Sequence, residues 1–149
     1  MKEKIIDIKK YTALSLGYLG LLPPLLALGA SLTSHLSAME SFEFNLLYAN
    51  MILSFLGGTH WYAGVTSQLG APTRKVLVGI ISSIAGITSL LIGGLIGVFI
   101  TAAGLLVLGL IEKYQPLTEE DGIGWYISLR IKLTAGLTSL LLASLWMSV

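Results

Sequence analysis

The residues of this chain that could do chemistry inside an apolar environment are few, and the most conspicuous is a histidine. His60 lies in the stretch ILSFLGGTHWYAG, residues 52–64, directly before Trp61. Arg130 lies early in the last apolar stretch, and Glu112 closes the stretch before it. An imidazole can exchange a proton or donate a hydrogen bond, and a guanidinium can bind an anionic or carbonyl-bearing group. Ionisable side chains within an apolar segment are therefore the first candidates for function.

The composition of the chain indicates the environment in which these residues must work. Of 149 residues, 54% are hydrophobic and only 11% are charged, and the mean hydropathy is +0.83. Soluble domains carry roughly 25% charged residues. No charged residue lies between Glu43 and Arg74, or between Lys75 and Glu112. Uncharged runs of about 18 residues or more are typical of membrane spans, so the sequence predicts an integral membrane protein.

Several kinds of chemistry lack the residues that they need. The net charge of +1 predicts no nucleic-acid partner, and the absence of cysteine excludes disulfides and thiolate sites. We find no phosphate-binding loop, no nucleophile elbow, no metalloprotease motif and no paired carboxylates within a span. Ser54 lies six residues from His60, which places the two on different helix faces. We therefore expect no catalytic residue, no metal site, no cofactor and no enzymatic activity.

The apolar stretches divide into five predicted spans within one all-α transmembrane domain, residues 1–149. Residues 76–111 form one uncharged run. As a single helix this run would extend about 54 Å, against a hydrocarbon core of about 30 Å, so it must fold back. The glycines of IGGLIG, residues 92–97, favour a turn there. One long helix with a re-entrant piece is the alternative. The predicted spans are 11–33, 44–67, 74–92, 95–111 and 123–147.

The first span needs two further predictions. Its basic start and the segment LALGAS resemble a cleavable signal peptide, but the apolar run from Tyr11 to Leu32 is longer than a signal core, so we expect it to be retained. Pro23 and Pro24 lie near its middle and are expected to kink the helix, because proline has no backbone N–H to donate.

Orientation follows from the basic residues, because cytoplasmic loops are enriched in lysine and arginine. With five spans all nine cations fall on one side, so we expect the N terminus inside and the C terminus outside. This pattern indicates the bacterial cytoplasmic (inner) membrane, or the inner membrane of a mitochondrion. The cations are Lys2, Lys4, Lys9, Lys10, Arg74, Lys75, Lys113, Arg130 and Lys132.

Small residues recur at helical spacing and predict close helix packing, since lipid supplies no hydrophobic drive between helices. Gly57 and Gly58 precede His60, and Gly93 and Gly97 lie four residues apart. We expect these four glycines to pack against neighbouring helices. A conduction path lined by small residues is the less favoured interpretation.

The ionisable residues are expected to meet near the cytoplasmic leaflet. His60 lies about 16 residues into the inward-running second span, and Arg130 about seven residues into the outward-running fifth, so the two depths agree. Trp61, Tyr126 and Glu112 lie at or near this level. One interpretation is structural, with Arg130 reaching lipid head groups and His60 bonding a neighbouring helix. The other is a pocket for an anionic head group or a quinone-like ligand.

Three segments resemble a known family. They are YTALSLGYLGLLPPLLALGA, YANMILSFLGGTHWYAG and WYISLRIKLTAGLTSLLLA. They are similar to the signatures L-G-x-x-G-x-x-P, S-F-L-G-G-x-H-W and W-Y-x-x-L-R of a small inner-membrane family of unknown function that includes the animal mitochondrial "transmembrane protein sixty-nine". The double proline and Tyr62 depart from that pattern. The resemblance implies a bundle of about five helices, places His60, Trp61 and Arg130 in motif segments and implies no activity.

The leading functional hypothesis is a non-catalytic accessory or assembly subunit of a membrane complex, with a lipid or quinone bound near the cytoplasmic leaflet. Its partners would be membrane lipids and other integral membrane proteins or further copies of itself. A small carrier or channel is the alternative, and it requires a water-filled path through the bundle. A membrane enzyme with His60 as its base is the third hypothesis.

Overall fold

A computed structural model describes residues 2–66, 72–114 and 124–149, and the described chain is helical with no β-strand. The predicted span ends at 67 and 123 lie outside these residues. The helices are α1 (Lys2–Leu19), α2 (Leu22–Leu32), α3 (Ala38–Thr66), α4 (Pro72–Ile92), α5 (Gly94–Tyr114) and α6 (Gly124–Ser148).

The first span is interrupted directly before its double proline, in agreement with the expected kink. The break falls at Gly20 and Leu21, and both prolines lie in the first turn of α2. A first-turn N–H has no partner within its helix, so proline is tolerated there. Pro24 also leaves the carbonyl of Gly20, four residues before it, without a helical donor. The Tyr48 hydroxyl of α3 donates to that carbonyl at 2.6 Å, which ties α3 to the break.

Helix α3 is the centre of the bundle, because α2, α4, α5 and α6 all pack against it. Its apolar residues form the core with leucines and a valine of α5 and α6. This covering explains why α3 tolerates two asparagines and a histidine, all buried, that a lipid-facing helix would expose. The buried core consists of Phe42, Leu46, Ala49, Leu53, Leu56, Val98, Leu105, Leu108, Leu137 and Leu141.

A capping box starts α3. The Ser37 hydroxyl accepts the backbone N–H of Glu40 at 3.1 Å, and Glu40 Oε2 accepts the backbone N–H of Ser37 at 2.8 Å. These bonds satisfy two donors at the helix start. They also hold the pKa of the Glu40 carboxyl below its usual value, chiefly through the Ser37 N–H and then through its hydroxyl.

Glycines, which have no side chain, allow α3 and α4 to pack closely over much of their length. A Cβ at Gly57 would lie 2.7 Å from Ser82 Cβ and 2.9 Å from the Gly79 carbonyl oxygen, so only glycine fits. Gly64 is equally close to α4, 2.8 Å from the Pro72 carbonyl. Gly58 differs from its neighbour, since a Cβ there would meet no atom within 4 Å. The packing role expected for Gly58 is therefore wrong: successive residues point about 100° apart on a helix, and Gly58 faces outward.

The turn between α4 and α5 lies at Gly93, within the IGGLIG segment. Gly93 and Gly94 have φ values of +65° and +51°, a conformation that favours glycine. A Cβ at Gly93 would meet no atom within 4 Å, so this residue makes the turn and does not pack as expected. Gly97 does pack, because its Cβ would lie 2.6 Å from the Ser89 carbonyl oxygen of α4.

Four segments of the described chain are long and apolar enough to cross a membrane. They are Lys10–Leu32, Pro72–Ile92, Gly94–Tyr114 and Gly124–Ser148. Helix α3, with 29 residues, is the longest helix but is not among them, since glutamates, asparagines and a histidine lower its apolarity.

One end of the bundle gathers the helix ends that carry the basic residues. The last turns of α3 meet the first turn of α4 at Gly64, and the last turn of α5 meets the start of α6 through Glu112 and Arg130. Helix α1 runs parallel to α6, because Gly17 lies against Leu129 and Leu133, and Leu21, just after α1, lies against Gly136 further along α6. The start of α1 therefore lies at this same end, called here the basic end.

Candidate functional site

Glu112, Arg130 and His60 form a buried ion cluster near the basic end. Arg130 Nε donates to Glu112 Oε2 at 2.8 Å, and Arg130 Nη2 donates to Oε1 at 2.6 Å. His60 Nε2 lies 3.3 Å from the same Oε1, within ion-pair distance but outside hydrogen-bond geometry. The exposed fractions of the three residues are 3%, 7% and 1%. The structure thus brings together three of the five residues expected at the ligand site, while their ligand-binding role stays a prediction.

Three helices position these groups at one level. His60 lies six residues before the end of α3, Arg130 six residues after the start of α6, and Glu112 two residues before the end of α5. Because α3 and α5 end where α6 begins, these positions near the helix ends bring the three side chains to the same level of the bundle. A buried pair of this kind is sensitive to the loss of one partner, which leaves the other charge without compensation.

The two aromatic residues expected at the site differ in their positions. The Tyr126 ring lies one turn before Arg130, with its centroid 5.9 Å from the guanidinium carbon, and packs edge-on against Trp125. Trp61 is 48% exposed, and its backbone packs against Gly79 of α4. The structure therefore places Tyr126 beside the ion cluster and Trp61 on a flank of the bundle.

A second polar network joins α3, α4 and α5 nearer the other end. Asn50 Nδ2 donates to Ser89 Oγ at 3.1 Å, and Thr101 Oγ1 donates to Asn50 Oδ1 at 3.0 Å. The hydroxyl oxygens of Ser89 and Thr101 lie 2.7 Å apart. They lie 2.8 Å and 3.0 Å from the Gly97 carbonyl oxygen, to which Ser89 donates. The network is uncharged and fully buried, so it fastens the α4–α5 hairpin to α3. Asn45, one turn earlier on α3, does not join the network, since both of its side-chain amide atoms are buried without a hydrogen-bond partner.

Apolar side chains separate this network from the ion cluster. Thr101 and Glu112 lie on one face of α5, about 16 Å apart at 1.5 Å per residue. Leu105 and Leu108 fill the space between them together with Leu53 of α3, and each is at most 2% exposed. The described side chains offer no polar step between the two clusters along this face.

A groove of about 480 Å³ opens between the first span, α3 and α6, with Leu105 of α5 also in its lining. The volume falls within the range of roughly 300–1,000 Å³ that is typical of ligand pockets. Its α3 wall runs from Tyr48 to Thr59, about 16 Å at 1.5 Å per residue, or half of a membrane's hydrocarbon core. The lining comprises Ala13, Leu16, Gly17, Gly20, Leu21, Tyr48, Ile52, Phe55, Leu56, Thr59, Leu105, Tyr126, Leu129, Arg130, Leu133, Thr134 and Leu137.

Arg130 joins the groove to the ion cluster. Arg130 and Tyr126 lie in the groove lining, whereas His60, Glu112 and Trp61 do not. The lining has three hydroxyls besides that of Tyr126. Those of Tyr48 and Thr59 are already bonded within the protein, to Gly20 and to the Leu56 carbonyl, and Thr134 lies one turn after Arg130 on α6. The polar end of the groove is thus the end at Arg130.

The lateral groove was not predicted from the sequence. A groove depends on which faces of non-adjacent helices are left apart. The glycines of the first span were the available signal, since Gly17 and Gly20 both lie in the groove lining. In the described part of the chain, no three histidine, aspartate or glutamate side chains are grouped as a metal site requires.

The architecture and the site define a class: an all-helical bundle with four candidate membrane-spanning helices, a buried ion cluster and a lateral groove. The model of a family described as "protein of unknown function (DUF3429)" matches residues 10–146, and the chain belongs to that family. No curated protein and no solved structure matches the chain. The more specific kinship with the animal mitochondrial "transmembrane protein sixty-nine" stays a prediction.

Proposed function

We propose that this chain is a five-span membrane protein that holds a membrane amphiphile, a lipid or a quinone, in the lateral groove and acts as a non-catalytic accessory subunit. The observation that carries the proposal is the groove itself. It is apolar along its length and ends at Arg130, so it matches a molecule with one polar head and a hydrophobic tail.

The fifth span of this proposal is α3. Its 29 residues extend about 43 Å, longer than the hydrocarbon core of about 30 Å. Four helices pack around it, so most of its polar residues are shielded from lipid. With α3 as a span, the five spans alternate in direction, because the first span, α4 and α6 begin at the basic end and α3 and α5 end there.

The orientation of the proposal follows the positive-inside rule. The basic end carries Arg74, Lys75 and Lys113 together with the start of α1, and it would face the cytoplasm or the mitochondrial matrix. The groove's polar end would then lie in the inner leaflet of a bacterial cytoplasmic membrane or of the mitochondrial inner membrane. The resemblance to the animal mitochondrial protein supports the assignment to such a membrane.

The ion cluster and the leucine layer favour binding over the other two functions. A membrane enzyme with His60 as its base needs the imidazole at its substrate, but His60 Nε2 faces Glu112 and His60 is outside the groove lining. A carrier or channel needs a polar path, and leucines separate the ion cluster from the Asn50 network.

A tryptophan that fills the groove tests the proposal. Ala13 of α1 lies in the lining, and Ala135 of α6 is exposed on the bundle surface, so Ala13→Trp and Ala135→Trp form a matched pair. Native mass spectrometry of gently extracted protein should show a bound amphiphile with wild type and Ala135→Trp, and a loss with Ala13→Trp. An equal amount of bound amphiphile in all three proteins would refute groove binding.

The accessory role has its own test. Blue-native electrophoresis from a mild detergent should place the protein in a species larger than its 15.9 kDa chain and its detergent belt. Migration only as a lone chain would contradict the accessory role and leave the groove proposal to be judged by the tryptophan pair.

A further inference from the structure

We infer that the groove selects an electrically neutral amphiphile whose head group accepts hydrogen bonds, and that it discriminates against anionic phospholipids. A quinone ring and the ester end of a diacylglycerol both have this chemistry. The inference rests on the proposed function, because it concerns the same groove, and it names the class of ligand.

The charge at the polar end of the groove decides which head groups can bind there. An isolated arginine beside an apolar groove would attract a phosphate, because a guanidinium binds phosphate oxygens in pairs. Here the guanidinium already makes two hydrogen bonds of that kind, to both carboxylate oxygens of Glu112. The ion pair is neutral as a unit, and both partners are at least nine-tenths buried. A phosphate at Arg130 would therefore compete with the Glu112 carboxylate for the same guanidinium.

The polar end of the groove also supplies hydrogen-bond donors. A guanidinium has five N–H donors, of which Glu112 uses two, so three are left for a ligand. The Tyr126 hydroxyl adds a fourth, and no described residue accepts it. The lining contains no carboxylate. The polar end therefore offers donors without net charge, which is what a carbonyl oxygen requires.

The third ionisable group of the cluster is His60, which lies beside the ion pair. A proton on His60 would give the ion cluster a net charge of +1. Its Nε2 nevertheless lies 3.3 Å from Glu112 Oε1, and His60 is outside the groove lining. Lys132, the nearest basic residue along α6, is exposed and outside the lining. Neither group presents its charge to a head group beside Arg130.

The rest of the groove decides how many polar ends a ligand can have. The Tyr48 and Thr59 hydroxyls of the lining donate to backbone carbonyls of the protein. Between them the α3 wall presents Ile52, Phe55 and Leu56. The third hydroxyl of the lining, that of Thr134, lies one turn after Arg130 on α6 and so belongs to the Arg130 end. The groove therefore has one polar end and an apolar length, and it lacks the second polar anchor that a ligand with two polar ends would need.

A competition experiment on the full chain tests the inference. Detergent-solubilised protein is mixed with equal amounts of dioleoylglycerol, a quinone with a short isoprenoid tail and dioleoylphosphatidylglycerol, and bound species are counted by native mass spectrometry. Neutral adducts should exceed the phosphatidylglycerol adduct by about tenfold or more, which corresponds to one decade in the dissociation constant. The two neutral probes distinguish a quinone from a glycerol ester. A phosphatidylglycerol adduct as abundant as the neutral adducts would overturn the inference.

A variant at Glu112 tests whether the neutral ion pair causes the preference for neutral ligands. Glu112→Gln removes the compensating carboxylate and leaves the arginine charge at the groove, so selectivity should shift toward phosphatidylglycerol by about tenfold or more. Lys132→Gln is the matched control and should bind like wild type. Unchanged selectivity in a folded Glu112→Gln protein would overturn the argument from charge. If that variant does not fold, the wild-type competition decides alone.

The same experiment separates the two proposals. Binding with an anionic preference overturns this inference and leaves groove binding intact. Binding of none of the three probes to wild type, or equal binding to wild type and Ala13→Trp, overturns groove binding and this inference with it.

Discussion

Removal of the Glu112 carboxylate should destabilise the bundle far more than the loss of one surface ion pair. In Glu112→Gln the guanidinium of Arg130, which is 7% exposed, loses its charged partner. Arginine does not deprotonate in proteins, so its charge remains buried. Breaking a buried pair by removing one partner costs about 3–5 kcal/mol, against roughly 0–1 kcal/mol for an exposed pair. This pair has two short hydrogen bonds and both of its partners are buried, so we expect the larger cost of a buried pair.

Removal of the arginine should lower the free energy of unfolding by less than removal of the glutamate. Arg130→Met leaves a buried carboxylate, but Glu112 can take up a proton and become neutral. The double variant with both changes leaves no buried charge, so its destabilisation should be smaller than the sum of the two single effects. We expect a coupling free energy of about 2–3 kcal/mol, the upper part of the range for residues in contact.

The assay is reversible unfolding of the purified protein from mild detergent into dodecyl sulfate, followed by circular dichroism, for wild type and the three variants. Lys132→Gln, an exposed change on the same helix, should stay within about 0.5 kcal/mol of wild type. Single variants that each cost less than about 1 kcal/mol and add within about 0.5 kcal/mol would refute the reasoning, because they describe a hydrated pair.

Three further predictions concern the scaffold. Gly57→Val should separate α3 from α4 and lower the unfolding free energy by about 2 kcal/mol or more, whereas Gly58→Ala should be nearly neutral, as thermal unfolding in detergent would show. Tyr48→Phe should cost about 1–3 kcal/mol in the same assay, because it leaves a part-buried carbonyl without its donor. Since the folded pKa of Glu40 is lowered, its stabilising effect is complete above its usual value of 4.5 and is lost as the pH falls through the lowered value. Unfolding between pH 6 and pH 3 should show this loss in wild type and not in Glu40→Gln; equal pH dependence would contradict it.

Features that depend on the chain's own spacing could be predicted from the sequence. Depth along a helix follows from 1.5 Å per residue, so His60 and Arg130 could be assigned to one level before any contact was known. The turn at Gly93 follows from the length of the uncharged run, because no single helix of 36 residues fits the hydrocarbon core.

Features that depend on which helix faces which could not be predicted. Gly57 and Gly58 are adjacent and identical, and only the position of α4 makes the first a packing residue and the second an exposed one. The partner that satisfies the carbonyl at the Gly20 break could not be predicted from the local sequence, because the Tyr48 hydroxyl lies 28 residues away. The groove combines residues of four helices, and no periodicity within one helix describes such a space.

A density map of the full chain in lipid nanodiscs, after extraction in a mild detergent, tests the central claim most directly. The account predicts elongated density along Leu16, Ile52 and Leu133 that ends within hydrogen-bond distance of the Arg130 guanidinium. A first span closed tightly onto α3 and α6, with no space for a ligand beside Arg130, would contradict it.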